Sequence, residues 1–192
     1  PIRMALERLA HLGLLHVGAT GGFVVREFTI DEVRDAIEVR AVLEGTAARL
    51  AAERLKDDGE LDPLRRSWEQ VGRHTQLSIN TLGDYMDGNE SFHAAIVDLA
   101  KSEMLRRMMS HVNSLPFAAP SAMVFPTSML DASDATLAIA QVQHRSILEA
   151  IRRREGTRAE HLARERALLA WRAFELALSD EDALRGVPGG PL

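Results

Sequence analysis

From Thr29 onward the apolar residues recur every three to four positions almost without a break, and that rhythm restricts the chain to helices. Thr29 and Glu32 have the spacing of a capping box and open a helix predicted to run to about Lys56. Asp62-Pro63 offers an N-cap and an N1 proline to a second helix, predicted to end near Leu77. Further helices are expected over about 81–101, 103–115, 134–154 and 157–179. Pro116 to Pro126, rich in small residues, is the longest expected irregular stretch, and residues 180–192 are expected to form a disordered tail. The predicted fold class is therefore all-α, an antiparallel bundle of about six helices over residues 28–179.

Residues 1–27 read differently. Met4, Leu6, Leu9 and Leu12 have helical spacing that stops at Gly13. Leu14 to Val17, a glycine-rich turn through Gly21-Gly22, and Phe23 to Arg26 then read as strand, turn, strand. One helix and a small hairpin cannot cover their own apolar faces, so this segment is expected to be the end of a larger unit.

Charge assigns the two parts different surroundings. The 192 residues carry a net charge of −5, yet residues 1–30 hold three arginines against two glutamates. If nucleic acid is touched, the N-terminal segment touches it. With no cysteine in the chain, disulfides and thiolate chemistry are excluded. No apolar run approaches the ~18 residues of a membrane span, and a cytoplasmic protein is expected.

Four of the predicted helices carry polar residues on their apolar stripes. Arg40 and Glu44 interrupt the first, Asn89 and His93 the 81–101 helix, His144 the 134–154 helix, and Arg166 the last. A buried polar group without a partner costs about 1–3 kcal/mol, and a charge costs more. These residues must face one another or a ligand, which points to a polar cavity inside the bundle. Arg40 and Glu44, spaced i,i+4, also have the option of satisfying each other. His11, His16, His74, His111 and His161 lack a partner at ligand spacing and are expected to be solvated or locally bonded. Arg152 to Arg154 reads as an exposed helix C-terminus.

The motifs in order resemble the GntR-type regulators, in particular the FadR branch with its all-helical FCD sensor domain. Pro1 to Leu15, PIRMALERLAHLGLL, is similar to the recognition helix and its exit, and Gly21-Gly22 with Phe23 to Arg26 to the wing. Arg40-x-x-Leu43-Glu44 is similar to the first FCD helix. Asn89-x-x-Phe92-His93-x-x-Ile96 matches the D/N-x-x-F-H-x-x-[IL] motif, and His144-Arg145-x-Ile147-Leu148-x-Ala150-Ile151 matches H-R-x-I-L-x-A-I. Arg158 to Glu165 is similar to the closing helix. The resemblance implies a homodimer that binds operator DNA through a winged helix-turn-helix, of which residues 1–27 would be the C-terminal part. Arg3, Arg8, Gly21 and Gly22 are then the DNA-facing positions.

The resemblance also implies a small carboxylate effector, often beside a divalent metal held by one Asp or Asn and three His. Three of those positions fall on Asn89, His93 and His144, which would be the ligands were a metal bound; the fourth falls on Arg166. A guanidinium about 5 Å from a dication, at an effective dielectric of about 20, adds repulsion on the order of 6–7 kcal/mol. That removes much of the ~10–16 kcal/mol typical of zinc-finger sites, so no metal cofactor is expected. Arg40, Asn89, His93, His144 and Arg166 remain as the expected effector-binding set. The rival reading is an all-α hydrolase or lyase with His93 and His144 as acid and base, but no nucleophile elbow, H-E-x-x-H or phosphate loop supports it.

Overall fold

The computed structural model describes residues 1–74, 76, 78–115, 118–120 and 133–179. The expected tail at 180–192 and most of the irregular stretch from Pro116 to Pro126 lie outside the described residues. The elements are α1 (Ile2–His11), β1 (Leu15–Val17), β2 (Phe23–Val25), α2 (Ile30–Arg54), a 3₁₀ turn (Asp58–Leu61), α3 (Asp62–Val71), α4 (Ile79–Leu99), α5 (Glu103–Asn113), α6 (Ser133–Arg152) and α7 (Gly156–Ser179). From α2 onward the described residues form an all-α bundle, as the periodicity predicts.

The N-terminus of α2 is built as its sequence implies. The Glu32 amide donates to Thr29 Oγ1 at 3.2 Å, and the Thr29 amide donates back to Glu32 Oε2 at 2.9 Å. Because two otherwise orphaned donors meet here, Thr29→Ala is expected to lower stability by about 1 kcal/mol. An unchanged urea midpoint would show that the cap contributes nothing.

The second helix is shorter than predicted, ending at Val71 and not near Leu77. Gly72 caps the helix, its amide donating to the Trp68 carbonyl at 3.0 Å, and α6 packs against this end. The Gln141 amide of α6 donates to the Trp68 carbonyl at 3.1 Å, and a Cβ on Gly72 would lie 2.4 Å from Gln141 Nε2. The chain turns away and α4 begins two residues earlier than expected. Its start is braced by the Ser78 amide donating to Thr81 Oγ1 at 2.9 Å.

The core forms where small residues let helices approach. Ala41, Ala48, Ala51 and Ala52 of α2 and Ala159, Ala163 and Ala167 of α7 are all buried. A Cβ on Gly45 would meet the Glu160 carbonyl oxygen at 3.0 Å, so the two backbones come as near as glycine permits. Phe92, Leu61, Leu64, Ile147 and Ile151 fill the space around this pair. A smaller cluster of Val71, Tyr85 and Leu137 closes one side.

Two turns between helices place a non-glycine residue in the left-handed region, Lys101 (φ 48) and Arg154 (φ 59). Each is held by its own side chain. Lys101 Nζ bonds both Glu60 carboxylate oxygens at 2.7 and 2.8 Å, and the Arg154 guanidinium donates to the Lys56 carbonyl at 2.9 Å. Arg152 and Arg153 both clamp Glu149, so this basic run is engaged in local ion pairs.

The N-terminal segment is a helix and a two-stranded antiparallel hairpin, with Leu15 opposite Val25 and Val17 opposite Phe23. No residue of α1 is buried, and Ile2, Met4, Val17 and Val25 are exposed. The segment leaves its apolar faces uncovered, as its size implies.

Candidate effector site

Four helices bring polar side chains to one buried place. From α2 come Arg40 and Glu44, one turn apart. From α4, Tyr85, Asn89 and His93 follow at successive i,i+4 steps on one face. His144 comes from α6 and Arg166 from α7. All seven are buried, and His144 is 0% exposed. The five residues expected from sequence to bind a ligand are thus gathered together.

Their partners differ. The Arg40 guanidinium donates to the Ala118 carbonyl at 2.7 Å and the Ala167 carbonyl at 3.2 Å. Its Nε lies 3.5 Å from Glu44 Oε1, a loose ion pair. Glu44 Oε2 lies 3.0 Å from His93 Nδ1. The approach is close, yet neither Glu44 oxygen accepts a well-formed hydrogen bond. Burial alone pushes the Glu44 carboxyl pKa up. The cationic surroundings of His93, Arg40 and Arg166 outweigh that and hold it at about 2, so it is ionised.

Across the cluster, Arg166 has far less. Its guanidinium reaches Asn89 Oδ1 at a long 3.5 Å, and its Nε has no partner. Burial pulls its pKa down, yet a guanidinium remains charged. No carboxylate bonds it among the described residues: Glu90 is exposed, and no ion pair joins Arg166 to Glu44. The Asn89 amide is turned so that its nitrogen donates to the Pro120 carbonyl at 3.1 Å.

His144 is the most isolated group. Its ring lies 4.4 Å from that of Phe92 and 5.8 Å from that of His93, and neither of its nitrogens has a hydrogen-bond partner. Burial, then Arg166, then His93 push its pKa well below the ordinary imidazole value, so it is neutral. A neutral imidazole still carries one donor and one acceptor. Burial likewise raises the Tyr85 phenol, keeping it protonated.

Among the described residues no three His, Asp or Glu groups gather in metal-binding geometry. The Asn89 oxygen, which a metal would need, points to a guanidinium.

Glu44 and Tyr85 are the members that sequence reasoning undervalued. Glu44 was paired with Arg40 alone, whereas its nearer neighbour is His93. Tyr85 lies one turn before Asn89, a spacing that would have found it. The Ala118, Pro120 and Ala167 carbonyls carry no sequence signal.

The expected DNA-facing residues lie elsewhere, in the N-terminal segment. Arg3, Arg8, Gly21 and Gly22 are all exposed. Arg3 pairs with Glu7 at 3.1 Å, and Arg3 and Gly21 line one shallow cleft between α1 and the hairpin turn. Gly21 (φ 81) has the left-handed backbone that favours glycine, with its amide donating to the Gly18 carbonyl at 2.9 Å. Arg8 does not line that cleft.

Residues 35–167 match the family model of the FCD domain. The HTH-type transcriptional regulator LutR of Bacillus subtilis is 28% identical over 59% of this chain and 57% of its own length. The Nta operon transcriptional regulator of Aminobacter aminovorans is 32% identical over 59% of this chain and 52% of its own. The chain spans about half the length of the curated relatives it matches. Among solved structures, E. coli McbR/YncC has the same fold, with a TM-score of 0.66, 19% identity, and coverage of 91% of this chain and 83% of that one. With its helical bundle, its motifs and a family match that takes in Arg40, Glu44, Asn89, His93, His144 and Arg166, this chain belongs to the FCD-domain family.

Proposed function

We propose that the chain is the effector-sensing and dimerising part of a cytoplasmic DNA-binding transcription regulator, and that its effector is a small organic acid. The observation that carries this reading is a buried guanidinium, Arg166, whose Nε lacks a partner beside a His144 ring with both nitrogens unbonded. A carboxylate supplies what both lack: charge for the guanidinium and an acceptor for an imidazole N–H. Arg40, Asn89 and His93 complete the set, and Arg166 takes over the electrostatic role of a metal, so no metal cofactor is needed. Identifying what co-purifies, by mass spectrometry of gently denatured protein, tests the reading. A stoichiometric carboxylic acid is expected; a neutral ligand that ignores Arg166 would overturn it.

Catalysis is not part of this reading. His144 is fully buried and its pKa is pushed well below the ordinary imidazole value, which suits it poorly to acid–base work near neutral pH. Among the described residues no helix is long and apolar enough to cross a membrane.

Dimerisation is assigned to α2 and α7. Val39, Val42 and Leu168 are exposed and line a groove edged by Glu38 and Arg164. A two-fold axis through this groove sets each acid against the other copy's base. Leu43 lines the same groove while also packing on the core, whereas Leu50 packs on the core and does not line it. Sedimentation at micromolar concentration should give a dimer, and Val39→Asp should shift it to monomer; a wild-type monomer would end the proposal.

The domain division follows the same proposal, with residues 1–27 serving DNA through Arg3, Arg8, Gly21 and Gly22 and residues 28–179 serving the effector. α1 and the hairpin alone expose their apolar faces, so residues 1–192 are expected not to select an operator in a mobility-shift assay. A parent with a complete winged domain should bind with steep salt dependence. Tight sequence-selective binding by residues 1–192 would refute this.

A further inference from the structure

The chain passes from the N-terminal segment to the bundle through a short connection between β2, which ends at Val25, and α2, which starts at Ile30. One guanidinium spans it. The Arg26 backbone is fixed in the frame of the hairpin, its amide donating to the Leu14 carbonyl at 3.0 Å. Its side chain passes beside Gly13, where a Cβ would lie 3.6 Å from Nη1. The guanidinium carbon lies 5.0 Å from the centre of the half-buried Phe28 ring, a cation–π contact, and Nη2 donates to Glu32 Oε1. Glu32 is fixed in turn in the frame of α2. Its other oxygen accepts from the Thr29 amide at 2.9 Å and from the Thr29 hydroxyl at 3.2 Å.

An exposed ion pair is usually weak, because two long side chains give up rotamer freedom to form it. Here the cap of α2 already holds the carboxylate and the Phe28 ring already holds the guanidinium, so less freedom remains to lose. We propose that Arg26 is a positioning residue: it ties α1 and the hairpin to the capping carboxylate of α2, so that the N-terminal segment turns with α2 as one body. Arg40 and Glu44 lie further along the same helix. A change in the tilt of α2 at the buried cluster is therefore passed to the hairpin. The regulatory meaning of this link rests on the division of labour proposed above; its existence does not.

The chain has no cysteine, so Thr20→Cys in the hairpin turn and Glu69→Cys on α3, both exposed, place two nitroxide labels without competing thiols. Double electron–electron resonance on the full 192-residue chain, diluted in unlabelled chain so that pairs within one chain are read, should give one main distance band. Arg26→Ala should raise the fraction of pairs outside that band by about 10-fold, through the combined loss of an ion pair and a stacked ring. Glu32→Gln, which can still cap α2, should raise it by about 3-fold, and decides the matter should Arg26→Ala fail to fold. Arg26→Lys keeps the charge and should stay within about 2-fold of the wild type. Thr29→Ala weakens the cap but keeps the pair, so it should lower the urea midpoint without spreading the distances. The proposal is overturned by a wild type as broad as Arg26→Ala, by an Arg26→Ala as narrow as the wild type, by an Arg26→Lys as broad as Arg26→Ala, or by equal broadening in Thr29→Ala. Each of these results leaves the effector and operator readings to their own tests.

Discussion

Arg166→Ala is expected to weaken binding of the carboxylate effector by about 2–5 kcal/mol while leaving the fold intact, the usual loss when one partner of a buried charge pair is removed. The fold should survive because Arg166 gives little to the apo protein: one 3.5 Å contact and an unpaired Nε. Its deletion even relieves a buried cation of its desolvation cost. Arg166→His makes the complementary case. It adds a third imidazole to His93 and His144 and removes the repelling charge, so zinc or nickel affinity should appear where the wild type holds well under one metal per chain. Elemental analysis and titration with the effector measure the two halves. Stoichiometric metal in the wild type would show that the guanidinium does not govern this site.

Stability should fall in two stages as the solution is acidified, and each stage belongs to a named buried group. The native His144 pKa lies well below its ordinary value of 6.5. Below pH 6.5 the unfolded chain therefore takes up a proton that the native state refuses. The loss runs at about 1.4 kcal/mol per pH unit for as long as native His144 stays neutral. Glu44 contributes at lower pH. Its pKa is held at about 2 against an ordinary 4.5, so its stabilisation is fully present above about 4.5 and is lost as pH falls toward 2. The amount is about 3 kcal/mol, fitting a carboxylate that is fully buried among cations. Urea midpoints at about pH 7.5, 5.5 and 3 separate the stages, because His144→Gln should abolish the loss between the first two and spare the loss between the last two. Parallel losses in the wild type and His144→Gln would rule His144 out as the source.

The family assignment was legible in the sequence because its motifs are local. Asn89-x-x-Phe92-His93 and His144-Arg145-x-Ile147-Leu148 lie within single helices, where spacing alone decides which residues share a face. The same rule placed Thr29 and Glu32 in a capping box, and it singled out Arg40, Asn89, His93, His144 and Arg166 as polar residues on apolar stripes. Burial of all five needed no tertiary information beyond the existence of a core.

What the tertiary structure decided was how those stripes meet. The approach of α2 to α7 at Gly45 sets the depth at which Arg40 and Glu44 face Arg166, and no periodicity encodes an interhelical distance. At the end of α3, which stops at Val71 and not near Leu77, Gln141 of α6 bonds the Trp68 carbonyl, a contact between helices that no local pattern shows. The carbonyls of Ala118 and Pro120, backbone groups in an irregular connection, took the donors of Arg40 and Asn89. Helical periodicity is a short-range property of a chain, so it determines which residues are inside. Which buried charge is left without a partner depends on the rotation and separation of four helices, and that is a property of the packed bundle alone.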